Sequence, residues 1–194
     1  MKILLALLLL AVPIHGAVLR DLDEAQQAAL QKGDVVMRAE EVSGGAWPRL
    51  IVYVRVNAPV SAVESVFRDY ASAPAYIPGL VSADVLRRPD PDTYEVSYVS
   101  EMPIVGESRS TVLNRYSRDG DDLVVRWKLL EATHADESTG ELRAEADGPD
   151  ACILRYTNYV RPKSSLARLA KSAATGEVRK TVLALKKESE RRAG

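Results

Sequence analysis

Residues 151–161 read ACILRYTNYVR. Cys152, Leu154, Tyr156, Asn158 and Val160 fall on one face, and Arg155, Thr157, Tyr159 and Arg161 on the other. That two-residue period is the mark of a β-strand with one covered side. After Pro162-Lys163 the period changes. Residues 164–190, SSLARLAKSAATGEVRKTVLALKKESE, hold no Pro and one Gly, and Leu166, Ala170, Ala174, Val178, Val182 and Leu185 recur at helical spacing beside Leu169 and Ala173. A helix over that span is about 40 Å long at 1.5 Å per residue, enough to lie across a whole sheet. Its apolar stripe is mostly Ala in the first half, so the helix either packs very close to the sheet or leaves space there, and Gly176 fits both.

Working backwards, five more strands are expected over Val81–Arg88, Thr93–Met102, Gly106–Tyr116, Leu123–Glu131 and Gly140–Ala146. Arg118-Asp119-Gly120-Asp121, Ser138-Thr139-Gly140 and Asp147-Gly148-Pro149-Asp150 supply turn chemistry between them. Short strands with tight connections make an antiparallel sheet. Leu123, Val125, Trp127 and Leu129 share one face against Arg126 and Lys128, and Tyr94, Val96, Tyr98 and Ser100 oppose Glu95 and Glu101. One face of the sheet is thus expected to be covered and the other wet.

Asp34–Val42 and Leu50–Asn57 read as a further hairpin across Ser43–Pro48, preceded by a short amphipathic helix over Asp21–Gln31 that stops at Gly33. After Asn57, Pro59 suits a first helical turn, and Ser61 with Glu64 has capping-box spacing. Val63, Val66, Phe67 and Tyr70 then share a helical face, and a second short helix is expected over Ser72–Ile77, ended by Pro78-Gly79.

The chain opens with Lys2, an apolar run from Ile3 to Val12, and small residues at Gly16-Ala17. This is the plan of a secretory signal peptide, with a core too short for the ~20 residues that span a bilayer. Residues 1–17 are read as that signal, cut after Gly16 or Ala17, and residues 18–194 as a single domain, soluble and periplasmic or secreted. The sole cysteine, Cys152, leaves no intramolecular disulfide, so the core itself must provide stability. Loss of Lys2 leaves 25 basic against 27 acidic residues, a formal charge of −2. Neither that balance nor the longest basic runs, which are pairs, favours nucleic acid.

The order of strand, two short helices, six strands and long terminal helix resembles the START-like or Bet v 1-like superfamily, which includes polyketide cyclases, coenzyme Q-binding proteins and plant pollen-allergen proteins. Ala58-Pro59-Val60-Ser61-Ala62-Val63 is similar to that family's turn from strand into helix, Asp69-Tyr70 with Ala75–Leu80 to its second-helix segment, and Trp127-Lys128-Leu129 followed by Gly140 to its central strands. The resemblance runs from about Gly33 to Arg192. It implies an α+β helix-grip fold, a curved antiparallel sheet of about seven strands wrapped on the C-terminal helix. It also implies a cavity for lipids, quinones, sterols or polyketides. Fold alone fixes the container and not its contents.

Tyr94, Tyr98, Ser100, Trp127, Tyr156 and Asn158 share the covered face and are the candidate cavity-lining residues. Apolar walls with a few convergent polar groups are what small-molecule sites need. The same tyrosines also fit a core in which their hydroxyls find backbone or water. Arg109 and Arg115 would orient an anionic headgroup only if their face turns inward, and a solvated outer face is the plainer reading. His134 lies in an acidic loop from Glu131 to Glu137, and Cys152 reads as a small buried hydrophobe. No metal-ligand cluster, phosphate loop, dinucleotide fingerprint or nucleophile elbow is present, so no cofactor or metal is expected. The apolar loop Met102–Gly106 is a candidate gate or transient membrane contact.

Three readings stay open. The leading one is an exported binding protein that holds or carries a hydrophobic small molecule or lipid. The second is a cyclase or aromatase using the same cavity, for which acid–base groups are few. The third is a closed-core interaction protein presenting its charged end, Lys186–Arg192.

Overall fold

A computed structural model describes residues 16–102, 106–163 and 171–194. Eight strands form one antiparallel sheet: β1 (Val36–Glu40), β2 (Arg49–Val56), β3 (Leu80–Asp90), β4 (Thr93–Met102), β5 (Gly106–Asp119), β6 (Asp122–Ala132), β7 (Ala135–Ala146) and β8 (Cys152–Pro162). Their spatial order is β1-β2-β8-β7-β6-β5-β4-β3. Three α-helices accompany them: α1 (Glu24–Gln31), α2 (Val60–Arg68) and α3 (Lys171–Ala193). A 3₁₀ segment over Tyr70–Ala75 follows α2. This is the helix-grip architecture; its eight strands correspond to those read one by one from the sequence, one more than the about seven the resemblance implied.

The inner face carries the core. Val52, Val54, Leu142, Ala144, Cys152, Leu154, Leu123 and Val125 pack beneath Val63 of α2 and Val182 of α3. Trp127 sits directly opposite Gly140 in the β6–β7 register. Without a side chain at 140 the indole lies flat over β7, with its ring 5.0 Å from that of Tyr156. A Cβ at 140 would collide with both that ring and the Thr157 carbonyl.

The outer face departs from the expected wet surface. The β2 run Leu50-Ile51-Val52-Tyr53-Val54 is apolar without a break, as strands buried on both sides are. Its outward members Ile51 and Tyr53 join Ile153 of β8 in a second cluster, roofed by Val18, Leu22 and Leu30 from the segment that leads into and through α1. Burying each such side chain contributes roughly 1.5–3 kcal/mol. Asp23 caps α1 in a capping box with Gln26, and Asp21 fixes the segment to the sheet through Arg155 at 2.8 Å. Arg109 and Arg115 are exposed on this outer face, and Arg109 pairs with Glu107.

Other expectations need correction. Ser61 does not cap α2, whose N-cap is Pro59 with no side-chain hydrogen bond. Glu64 instead holds Arg68 at 2.9 Å and pairs with Arg118. The residues read as a loop from Glu131 to Glu137 are mostly strand, because β7 gains ladder bonds to β8 out to Ala135 and Pro162, which outweighs their polar composition. Gly79, at φ +73°, is the turn residue just before β3, and a Cβ there would lie 2.8 Å from the Glu101 carbonyl.

The charged end of α3 is spent within the domain. Arg192 reaches Asp69 at 2.9 Å, Lys186 donates to the Arg55 carbonyl at 2.8 Å, and Glu190 accepts from the Asn57 amide at 2.9 Å. Glu188 accepts from Arg191 at 2.7 Å and Arg192 at 2.8 Å. Leu166, Leu169 and Ala170, expected in this helix, lie outside the described residues, as do Pro103–Val105 of the apolar loop and residues 1–15 of the expected signal peptide.

Two predictions follow from this packing. Gly140→Ala should destabilise the domain by about 1–3 kcal/mol, the usual cost of overpacking, read by chemical denaturation with tryptophan fluorescence; an unchanged midpoint would contradict the slot. Arg191 and then Arg192 hold the Glu188 carboxyl at about 2. A depressed carboxyl stabilises above its unfolded value, near 4.3, and that contribution is lost as pH falls from there toward about 2. Glu188→Gln should lower the midpoint at pH 7 and flatten its fall between pH 5 and 3, and parallel curves for the two proteins would contradict the clamp.

Candidate functional site

Between the inner face and α3 the core stops short. Two adjoining lobes open there, of about 390 and 320 Å³. Ile77, Leu80, Val112 and Tyr156 are walls common to both, with Ser100, Ser138, Asn158 and Thr181 among them. The outer lobe is roofed by α3 through Ala174, Val178 and Thr181, and the inner lobe ends under Phe67, Tyr70 and Tyr76. The Ala-rich half of the helix therefore leaves space, and among the described residues nothing lies within 4 Å of a Cβ placed on Gly176.

Each polar group reaches the pocket by strand alternation. Ser100 of β4 faces Ser108 of β5, and Asn158 of β8 pairs with Gly140 of β7 and Leu50 of β2. Among the described residues no hydrogen-bond donor or acceptor engages the Tyr156 hydroxyl or the side chains of Ser138, Asn158 and Thr181. Such groups, set in apolar walls, are free to hydrogen-bond whatever enters. The described lining residues include no Lys or Arg; the carboxylates Glu101 and Glu177 line the outer lobe and Asp69 the inner one.

Of the candidate residues, Tyr98, Ser100, Trp127, Tyr156 and Asn158 lie on the walls of the lobes. Tyr94 lies away from both. Its ring lies 5.5 Å from those of Tyr70 and Tyr116, and its hydroxyl accepts from Arg68 at 3.2 Å. Arg68 also stacks its guanidinium 4.0 Å from the centre of the Tyr116 ring. Tyr116 donates to the Phe67 carbonyl at 2.8 Å, so Tyr70 donates to Tyr116, also at 2.8 Å. This aromatic plug closes the end of the sheet, because α2 packs over it.

His134 was read as a solvated loop residue. It is half-buried at the turn between β6 and β7, lines the outer lobe, and places Nε2 3.3 Å from the Glu107 carbonyl. Sequence reading also passed over Ser138 and Thr181. Ser138 shares the parity of Gly140 and Leu142, and Thr181 lies one turn beyond Val178.

The tyrosines are neutral donors rather than bases. Burial pushes the phenols of Tyr98 and Tyr156 well up, and Tyr98 accepts weakly from Asn114 at 3.5 Å. Burial also pushes the Cys152 thiol up to about 12, so it is no thiolate, and it lies outside both lobes. Among the described residues no group of three His, Cys, Asp or Glu side chains is gathered as a metal site.

Known proteins agree with this geometry. Solved structures of the same fold include a STAR-related lipid transfer protein from Xanthomonas axonopodis, 17% identical over 80% of this chain and 93% of that one, with a TM-score of 0.72. The human StAR-related lipid transfer protein 5 is 8% identical over 84% of each chain, with a TM-score of 0.72. The Zhui aromatase/cyclase from a Streptomyces species is 18% identical over 82% of this chain and 97% of that one, with a TM-score of 0.67. No curated protein sequence matches the chain. The family model described as polyketide cyclase/dehydrase and lipid transport matches residues 49–190, nearly the whole sheet and α3, and the chain belongs to that START-like family.

Proposed function

We propose that the protein is an exported carrier that holds one uncharged, largely apolar molecule, such as a lipid, quinone or polyketide-like compound, between the sheet and α3. The observation that carries this reading is the pair of adjoining lobes, whose apolar walls bear the hydroxyl of Tyr156 and the amide of Asn158 with no described protein partner. Each lobe falls within the roughly 300–1,000 Å³ of small-molecule sites. The family's association with lipid transport supports it as well. A buried pocket without a fixed cation favours neutral cargo over a carboxylate or phosphate, since a charge left unpaired there is costly.

The catalytic alternative asks for an acid and a base within reach of a substrate. The tyrosines are neutral, and among the described residues His134 is hydrogen-bonded to neither of the carboxylates, Glu101 and Glu177, that line the outer lobe with it, so the carrier reading stands ahead of it. Export is part of the proposal, supported by the basic, apolar and small-residue order of residues 1–17. No described helix is long and apolar enough to cross a membrane. Cargo would enter beneath the Ala174–Thr181 half of α3, since the opposite end is fixed by the Arg192–Asp69 ion pair and the hydrogen bond from Lys186 to the Arg55 carbonyl.

Filling the pocket tests the proposal. Ser138→Phe and Thr181→Phe should each weaken uptake of an uncharged fluorescent fatty alcohol by about tenfold or more, equal to about 1.4 kcal/mol, with melting midpoints within a few degrees of wild type. Wild-type protein that takes up no such uncharged probe would contradict the proposal. Asn158→Leu should weaken hydroxyl-bearing ligands by about 1–3 kcal/mol relative to their hydrocarbon analogues, the cost of an unmade buried hydrogen bond.

A further inference from the structure

Glu145 of β7 is 8% exposed and points to the outer face, beside the wholly buried Ile153 cluster. A carboxylate so placed needs a cation or several donors. No Lys or Arg of the described residues pairs with it. The neighbouring outward cations are engaged elsewhere, Arg143 with Asp119 and Asp122, Arg155 with Asp21 and Glu141. Its described partner is a main-chain amide: the Val18 N–H donates to Glu145 Oε2 at 3.0 Å, and Val18 itself is 0% exposed. The carboxylate lies along the backbone from Gly16 to Val18, because a Cβ on Gly16 would overlap its Oε1.

These are the residues where the sequence places the end of a signal peptide, with a cut after Gly16 or Ala17. We propose that Gly16–Val18 is a processing site and that Glu145 is the receptor for the α-ammonium group the cut creates. Hydrolysis adds one water across the peptide bond, leaving a carboxylate on the leader and an ammonium on Ala17 or Val18. With the cut after Ala17, the Val18 N–H that now donates to Glu145 is itself replaced by an ammonium with three donors; with the cut after Gly16 that N–H stays and the ammonium arises one residue earlier, on the stretch the carboxylate already lies along. The buried carboxylate gains the countercharge that no described side chain supplies, in the charge-assisted form that is roughly twice as strong as a neutral hydrogen bond. Val18 is thereby fixed over Ile51, Tyr53 and Ile153, so the cover on the outer face is completed in the processed chain. The inference rests on the export reading but not on what the pocket carries.

The full chain, expressed with its own first 17 residues in a secreting bacterial host, should be recovered outside the cytoplasm with an intact mass that begins at Ala17 or Val18. Its α-amine should react with an acylating reagent at neutral pH about tenfold more slowly than in Glu145→Gln, since each unit by which pairing raises an amine reduces its free form tenfold. An uncut chain, or one starting elsewhere, overturns the processing site. The expected start with equal acylation rates in the two proteins overturns the receptor alone. If Glu145→Gln does not accumulate, the processed wild-type chain is labelled folded and in denaturant: protection lost on unfolding supports the ion pair, and equal rates overturn it.

Discussion

Helix α3 is fastened to the sheet at one end. Val182 and Leu185 enter the core, and beyond them Lys186, Glu190 and Arg192 tie the last two turns to Arg55, Asn57 and Asp69. The opposite half brings Ala174, Thr175, Val178 and Thr181 to a concave sheet whose width those side chains do not fill. Everything about the pocket follows from that asymmetry. Close packing is the rule in protein interiors, and a void of several hundred cubic ångströms persists only where the surrounding elements are held apart by contacts elsewhere. Here those contacts are the clamp at one end of α3 and the aromatic plug of Phe67, Tyr70, Tyr94 and Tyr116 beneath α2.

The sheet is shaped to match. Gly140 removes one side chain from its centre, Trp127 fills the slot, and Tyr156 packs its ring against the indole at a tilt of 36°. A rigid aromatic floor results, with Asn158 and Ser138 at its margin. On the outer face the segment from Val18 to Gln31 covers Ile51, Tyr53 and Ile153, so β2 and the start of β8 are buried on both sides, while the outward side chains Arg126 and Lys128 of β6 stay exposed. Floor and clamp are stiff, whereas the roof of the outer lobe rests on small residues.

Strand parity made much of this readable before any coordinates. The alternation through β4, β6 and β8 puts Tyr98, Ser100, Trp127, Tyr156 and Asn158 on one surface whatever the details of packing. Tyr94 has the same parity yet lies in the plug, because where the pocket ends depends on how α2 crosses the sheet, a tertiary fact with no local signature. His134 was hidden by its acidic neighbours, whose strand pairing to β8 comes from the partner and not from their own propensity. The outer cover had a signal that alternation alone missed: Leu50-Ile51-Val52-Tyr53-Val54 is continuous rather than alternating. Ser61 and Glu64 had capping-box spacing without its geometry, since Pro59 takes the cap and Glu64 turns to Arg68 and Arg118.

The central claim is that the space beneath the Ala174–Thr181 half of α3 holds an apolar molecule. Native mass spectrometry of the processed protein, purified gently from the cells that make it and paired with solvent extraction of the same sample, tests this most directly. The account predicts a stoichiometric adduct whose extract contains one class of uncharged, mainly hydrocarbon compound. A clean apo mass under conditions that preserve bound lipid in a control carrier would contradict it.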